Sequence, residues 1–218
     1  MRRKSQPVRI NVTGADEWRE LPEWPPPSTE LVHYLEPNGQ LTEKEPTQAT
    51  SSFTYDPADP TPTVAGPLLL DSSAGVRDTS ALDARQDVLT FTTPPLAEAL
   101  EVIGTPVVEL DHSRSNPHAD VFVRLCDVDA EGRSRNFSET FLRLDPAAED
   151  GLLRLPLDPC AHRLTAGHRV RLQVAGGSFP RYMRNEGTDA LPGFGTELRP
   201  CLHTIHHGNS RVILPIVR

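Results

Sequence analysis

Short segments of alternating apolar and polar residues, each closed by turn-forming residues, constrain the fold of this chain more than any other feature. In the clearest of them the apolar side chains Val170, Leu172 and Val174 point one way and the polar residues between them point the other way. This alternation is typical of a half-buried β-strand with one wet face. A turn at Ala166-Gly167 precedes the segment, and Gly176-Gly177 ends it.

Several further segments have the same character, and their close spacing predicts the fold class. They span residues 8–14, 31–41, 87–92, 100–103, 106–111, 120–128, 138–144, 152–155 and 211–217. Proline contributes 22 of 218 residues and is spread along the chain, which suits short strands with irregular connections. Only Ala97–Leu100 suggests a helical turn. The sequence therefore predicts an all-β jelly-roll β-sandwich of two antiparallel sheets.

Three regions do not read as regular strands. Residues 43–63 are polar and rich in proline, and we expect an irregular loop anchored by Phe53 and Tyr55, with disorder as the alternative. Residues 18–27 contain two tryptophans and four prolines, which favours an extended segment packed on the domain surface over a polyproline ligand for a partner. Residues 71–78 are polar and predict a loop that reaches solvent. In residues 211–217, Pro215 indicates an edge strand or a bulge.

The overall charge and the cysteine count exclude several function classes. Acidic residues outnumber basic ones 30 to 22, giving a net charge of −8, so the chain lacks the electrostatic footprint of a nucleic-acid-binding protein. Three scattered cysteines do not make a disulfide framework, and we read them as reduced thiols. No apolar run has the length of a membrane span, and the first ten residues lack the apolar core of a signal peptide. We therefore expect a cytoplasmic protein without a membrane partner.

A search for catalytic and metal-binding patterns yields only near misses. The nucleophile elbow Gly-x-Ser-x-Gly is approached at residues 176–180, which end in proline, and at residues 71–75, which begin with aspartate. His203 and His207 would share one face of a strand while His206 lies on the other, so we interpret them as surface and rim histidines beside an edge strand. Asp127 and Asp129 read as a solvated hairpin end. We predict no catalytic residue, metal or cofactor.

Five segments in order resemble a known family. They are PVRINVTGADEWRELPEWPPP, DARQDVLTFTTPPLAEALEVIGTPVVEL, ADVFVRLCDVDAEGR, AGHRVRLQVAGGSFPRYMRN and HTIHHGNSRVILPIV. Together they are similar to the C-terminal, non-catalytic jelly-roll domain of the cocaine-esterase-like (CocE/NonD) serine hydrolases and X-Pro dipeptidyl-peptidases. The resemblance implies that residues 1–27 form a linker leaving an α/β-hydrolase domain and that residues 28–218 form the jelly roll. It also implies that the catalytic triad lies in the hydrolase domain, on another chain or absent from this one.

The resemblance further implies which residues face that hydrolase domain or the rim of its substrate pocket. These residues are Trp18, Trp24, Gly75, Val76, Arg77 and Asp78. The family loop facing the acyl pocket tends to read Gly-Pro-x-Asp-Gln, whereas residues 75–79 read Gly-Val-Arg-Asp-Thr, which departs from the pattern that would carry a substrate preference. Residues expected to hold a structural loop are Phe179, Tyr182, Arg184 and Asn185.

Two other functions stay open at this point. Galactose-binding-like jelly rolls stack exposed aromatic rings on sugars, and Trp24, Phe179 and Tyr182 could serve such a carbohydrate-binding or ligand-binding module. A structural protein that forms a homo-oligomer is the other alternative. Catalysis of ester or amide hydrolysis by this chain alone is not expected, because it lacks a nucleophile elbow.

Overall fold

The structure is a computed structural model that describes residues 6–44, 46–69 and 74–217. Its strands are β1 Val8–Val12, β2 Glu17–Leu21, β3 Thr29–Glu36, β4 Gln40–Thr42, β5 Thr50–Tyr55, β6 Val88–Thr92, β7 Leu100–Gly104, β8 Val107–Arg114, β9 Asp120–Val128, β10 Ser134–Arg143, β11 Gly151–Pro156, β12 Cys160–Leu164, β13 Arg169–Ala175 and β14 Cys201–Ile216. One α-helical turn, α1, spans Ser80–Asp83, and a 3₁₀ turn spans Pro37–Gly39.

A β-sandwich results from one large sheet that folds over its own core. Neighbouring strands follow the order β10-β9-β13-β6-β4-β3-β14-β7-β12, while β5 and β8 also pair with β14, and β11 pairs with β8. All described pairings of named strands are antiparallel except the short contact between β4 and β6. The hairpin β1–β2 forms a separate two-stranded sheet. The predicted all-β sandwich is therefore confirmed.

Strand β13 shows why the alternating segments fold as predicted. Its side chains Val170, Leu172 and Val174 are fully buried in the core, which also receives residues from strands near both ends of the large sheet. The opposite face of β13 was predicted to be wet, and this is wrong for Gln173, which is only 2% exposed. Asp83 of α1 accepts a hydrogen bond from the Gln173 amide at 2.6 Å, so the helical turn covers this face.

Two regions differ from the sequence-based expectation. Residues 50–55, predicted as irregular loop, form β5 beside β14, and the alternation of polar residues with the buried Phe53 and Tyr55 explains the strand. The anchoring role of those two rings is confirmed. The helical turn predicted at residues 97–100 is not present, since β7 begins at Leu100, and strand β12 was not predicted.

Two of the three histidines of β14, His203 and His207, are inside the protein, which corrects the prediction that they lie on a surface rim, while His206 is half-buried. His203 and His207 have no exposed surface, because β14 is an interior strand with partners on both sides. The His203 ring stacks on Phe53 with centroids 4.7 Å apart, and its Nδ1 lies 3.0 Å from Nε2 of His112. A break in pairing register between His206 and Arg211 places a bulge in β14, a few residues before Pro215.

The buried pair His112 and His203 predicts acid sensitivity. Burial lowers the pKa of both imidazoles, and Nε2 of His203 has no described partner to stabilise an added proton. The unfolded chain takes up these protons near about pH 6.5, so it binds more protons than the folded state below that pH. We therefore expect the free energy of unfolding to fall as pH drops from about 6.5 to about 5, where few carboxylates are protonated.

Thermal melting between pH 7.5 and 5 checks this expectation. His203→Gln, which leaves a polar partner for His112, should flatten the pH dependence of the melting temperature relative to the unmodified chain. An unmodified chain whose melting temperature stays constant over this range would contradict the prediction.

Candidate functional site

Two long loops cover the outer face of the sheet formed by β6, β13, β9 and β10. We name residues 56–79 loop A and residues 176–200 loop B. They are joined by backbone hydrogen bonds: the Thr63 amide donates to the Phe179 carbonyl at 2.6 Å, and the Phe179 amide donates to the Thr61 carbonyl at 2.9 Å. The Arg181 amide also donates to Thr63 Oγ1 at 3.1 Å. The loops therefore form one surface.

A pair of glycines closes the projecting part of loop A. Gly66 and Gly75 exchange two backbone hydrogen bonds of 3.0 and 2.8 Å, as in the last rung of a hairpin. Both have positive φ, which disfavours residues with a Cβ. A Cβ on Gly66 would also lie 2.5 Å from Oε1 of Glu139, so this position accepts only glycine. Of the residues between this pair, 70–73 lie outside the described part of the chain, as does most of the near-elbow at 71–75.

Asn136 of β10 fixes the next residues of loop A. Its Oδ1 accepts a hydrogen bond from the Arg77 amide at 3.0 Å, and its Nδ2 donates to the Gly75 carbonyl at 3.2 Å. Asn136 is only 6% exposed, so water competes little for the groups that form these hydrogen bonds. The backbone from Gly75 to Arg77 is thereby held against the sheet.

The predicted hydrolase-facing residues of loop A have distinct environments. Val76 is 46% exposed and lines a cavity of about 230 Å³ with Gly75 and Phe137. Arg77 is exposed and its Nη1 donates to the Val76 carbonyl. Asp78 accepts hydrogen bonds from the Ser80 hydroxyl and amide, which lower the pKa of its carboxyl group, and it precedes α1. Val76 is thus the apolar contact that this segment offers.

Beneath both loops lies a layer of buried charges that the sequence analysis missed. Glu139 accepts a hydrogen bond from Nε of the fully buried Arg124 at 2.8 Å and another from Arg181 of loop B. Asp83 of α1 pairs with Arg171 of β13 in the same layer. Arg124, Glu139 and Arg171 have outward parity on their strands, whereas Asp83 belongs to α1 and Arg181 to loop B. Only knowledge of which elements are neighbours would have brought them together.

The four residues of loop B that the resemblance named make contacts with the sheet and with loop A. The Tyr182 ring stacks on Phe141 with centroids 4.1 Å apart, and Nδ2 of Asn185 donates to the buried Asp120 at 2.9 Å. Arg184 donates to the Pro57 carbonyl of loop A at 3.2 Å. Phe179 is half-buried and pairs through its backbone. Beyond these residues, loop B exposes an apolar group: Met183, Leu191 and Phe194.

The hairpin β1–β2 carries the predicted contact Trp18 and packs beside β12. Trp18 is 60% exposed, and the Arg9 guanidinium lies 4.6 Å from its ring centroid. Trp24, 39% exposed, follows the hairpin. Arg19 of β2 forms an ion pair with Glu101 of β7, which lowers the pKa of that carboxyl. Both tryptophans are therefore available for contacts.

The side chains of Thr13, His162 and Asp127 form a hydroxyl, imidazole and carboxylate series. Thr13 Oγ1 lies 2.8 Å from His162 Nδ1, and His162 Nε2 lies 3.1 Å from Asp127 Oδ2. The composition is that of a hydrolytic triad. However, the Thr13 hydroxyl also lies 3.0 Å from the Ala161 carbonyl, and the Thr13 backbone pairs with β12. We interpret this series as the attachment of the hairpin to the sandwich.

Other arrangements that could support chemistry are limited. Ser178 is buried and its hydroxyl contacts Thr63, without a neighbouring imidazole among the described residues. Within 6–44, 46–69 and 74–217, no three histidine, cysteine, aspartate or glutamate side chains form a metal-binding group. In the same ranges no helix has the length and apolarity to cross a membrane.

Comparison with known proteins assigns the chain to a family. Residues 3–212 match the family model of the X-Pro dipeptidyl-peptidase C-terminal non-catalytic domain. The chain belongs to this family. As a member of the X-Pro dipeptidyl-peptidase C-terminal domains, it is 30% identical to the cocaine esterase of Rhodococcus sp. (strain MB1 Bresler) over 97% of its own length and 42% of that enzyme.

Solved structures extend the family relationship. An aminopeptidase from a marine sediment Thaumarchaeota archaeon matches with a TM-score of 0.88 and 27% identity, over 100% of this chain and 41% of that one. An α-amino acid ester hydrolase matches with a TM-score of 0.81 and 27% identity, over 97% and 41%. This X-Pro dipeptidyl-peptidase C-terminal domain thus spans about two fifths of the length of each of these relatives.

Replacing Asn136 with alanine tests the attachment of loop A. The Arg77 amide would lose its acceptor, and the loss of buried hydrogen bonds should cost about 1–3 kcal/mol of unfolding free energy. In hydrogen exchange, the Arg77 amide should exchange at least about tenfold faster, since tenfold corresponds to about 1.4 kcal/mol of local opening. The Gly75 amide, bonded to Gly66, should be less affected.

Asn209→Ala is the matched control, because Asn209 is exposed and bonded to Asp111, which lies outside both loops. Exchange at Arg77 should be the same in Asn209→Ala as in the unmodified chain. Equal exchange at Arg77 in Asn136→Ala would show that Asn136 does not hold loop A.

Proposed function

We propose that this chain is the accessory domain of a cytoplasmic serine hydrolase that cleaves ester or amide bonds, and that an α/β-hydrolase domain carrying the catalytic triad packs against it. The match of residues 3–212 to a non-catalytic domain carries the proposal. The named activities of the relatives, an esterase, an aminopeptidase and an α-amino acid ester hydrolase, support hydrolysis at an acyl carbon. The buried free cysteines are compatible with the proposed location.

Loops A and B are the surface that we assign to the hydrolase domain. They expose Leu69 and Val76 from loop A, and Met183, Leu191 and Phe194 from loop B. Because the two loops are hydrogen-bonded to each other and to the sheet, little conformational entropy would be lost on docking. Covering a catalytic site with such a surface would exclude water from the reacting groups.

Aromatic stacking on sugars has less support. One face of the Tyr182 ring is occupied by Phe141, and Phe179 is half-buried, so Trp24 is the most accessible of the three rings named for that role. We therefore do not advance a carbohydrate-binding function.

An esterase assay tests whether the chain lacks catalytic power of its own. We expect the purified chain to hydrolyse p-nitrophenyl acetate no faster than buffer does, and a serine-directed phosphonate to leave the signal unchanged. Thr13→Val should give the same result, because its hydroxyl attaches the hairpin. Turnover that disappears with the phosphonate or with Thr13→Val would refute the non-catalytic assignment.

A charged residue in loop A tests the docking surface. Val76→Asp should weaken binding to the α/β-hydrolase domain of the complete enzyme at least about tenfold, or about 1.4 kcal/mol, because a carboxylate would be desolvated in an apolar contact. Leu202→Asp is the matched control, since Leu202 has the same 46% exposure but belongs to β14. Calorimetric titration measures both. Equal affinities of the two variants would place the interface elsewhere.

A further inference from the structure

A groove that shares no lining residue with loops A and B crosses the ends of three strands. It has a volume of about 930 Å³ and is lined by Thr29–Leu31 of β3, Ile216 of β14, Leu100 and Glu101 of β7, and residues 96–99 before β7. Arg19 of the hairpin and Arg163 of β12 form its other side. The hairpin therefore bounds a recess that the sandwich alone would leave open.

The floor of the groove is apolar and rigid. Leu31, Leu96 and Leu100 are half-buried and pack against the main core from outside, and Ile216 belongs to that core. Strand pairing holds β3 and β7 on the two sides of β14 at the floor, since Ile216 of β14 is opposite both Thr29 of β3 and Val102 of β7. An occupant could bury aliphatic side chains on this floor without rearrangement of the sheet.

The charges around the floor are unbalanced. Arg19 and Arg163 both pair with Glu101, at 2.5 Å each. Arg19 also pairs with Glu17 at 2.9 Å, so these two positive charges are balanced by two carboxylates. Glu30, Glu43 and Glu98 are exposed on the rim, and none has a hydrogen bond or ion pair with another residue in the described ranges. The rim therefore presents three carboxylates without cationic partners around an aliphatic floor.

We propose that this groove binds a short basic segment of a protein partner, one in which lysine or arginine alternates with aliphatic residues. Its aliphatic side chains would cover the floor, and its cations would pair with Glu30, Glu43 and Glu98. Charge complementarity of this kind fixes both the partner and its orientation. The volume falls within the range of about 300–1,000 Å³ that accommodates small ligands, which limits the occupant to a few residues. This site is separate from the proposed hydrolase-facing loops.

Titration of the complete chain with synthetic peptides tests the proposal. The probe is acetyl-Leu-Lys-Leu-Lys-Leu-amide, compared with an acidic version that has glutamate for lysine and a polar version that has serine for leucine. The basic aliphatic probe should bind at least tenfold more tightly than either. Raising the salt concentration should weaken it, because the rim carboxylates are exposed to solvent.

Charge-matched variants separate the groove from the net charge of the molecule. The triple variant Glu30→Gln, Glu43→Gln and Glu98→Gln should bind the basic probe at least tenfold more weakly. The control triple Glu131→Gln, Glu149→Gln and Asp145→Asn removes the same number of charges from exposed positions outside the groove and outside both loops, and it should bind within twofold of the unmodified chain.

Circular dichroism and melting temperature would show that both triple variants are folded. Equal loss of affinity in the two triples would mean non-specific attraction to an acidic protein and would overturn the proposal. So would equal binding of the basic and serine-containing peptides, because the floor would then have no part in recognition.

Discussion

The carboxylate of Glu139 is the contact on which the surface formed by loops A and B depends. One of its oxygens accepts from the buried Arg124 of the neighbouring strand and the other from Arg181 of loop B, while Gly66 of loop A passes directly over it. A buried charge of this kind is tolerated only when it is paired, and removal of one partner typically costs about 3–5 kcal/mol. The same group therefore fixes the sheet and the two loops relative to one another.

Much of the sandwich followed from alternation in the sequence, but the layer around Glu139 did not. The inner face of β13 could be predicted from Val170, Leu172 and Val174, because the alternation of apolar residues is a property of the strand's own sequence. Gln173 and Arg124 are neighbours only because β9 pairs with β13, and no periodicity within either strand reports that pairing. His203 and His207 of β14 were misplaced for the same reason: their burial depends on strands β5 and β8, which flank β14 from distant parts of the chain.

The candidate site was predicted from resemblance more than from physical chemistry. Polar residues and a glycine at 71–78 predicted a solvent-reaching loop, yet nothing in them indicated that Asn136, about sixty positions later, would hold the backbone of Gly75 and Arg77. Conversely, the Thr13, His162 and Asp127 series has the chemical composition of a triad and was not foreseen. The Thr13 hydroxyl contacts the Ala161 carbonyl of β12 and the His162 ring, and we interpret it as part of the hairpin's attachment. The presence of the three residue types of a triad therefore does not by itself define a catalytic group.

The glycine pair at the base of loop A separates the anchoring of the loop from the length and sequence of its projecting part, two properties that are usually linked in binding loops. Gly66 and Gly75 fix where the projecting part of loop A begins and ends, whatever lies between them. The entropy of closing a loop grows only slowly with its length, so the intervening segment can be lengthened or exchanged at small cost. Loop A is for this reason a natural position for grafting new recognition segments, with the sandwich serving as an unchanged support.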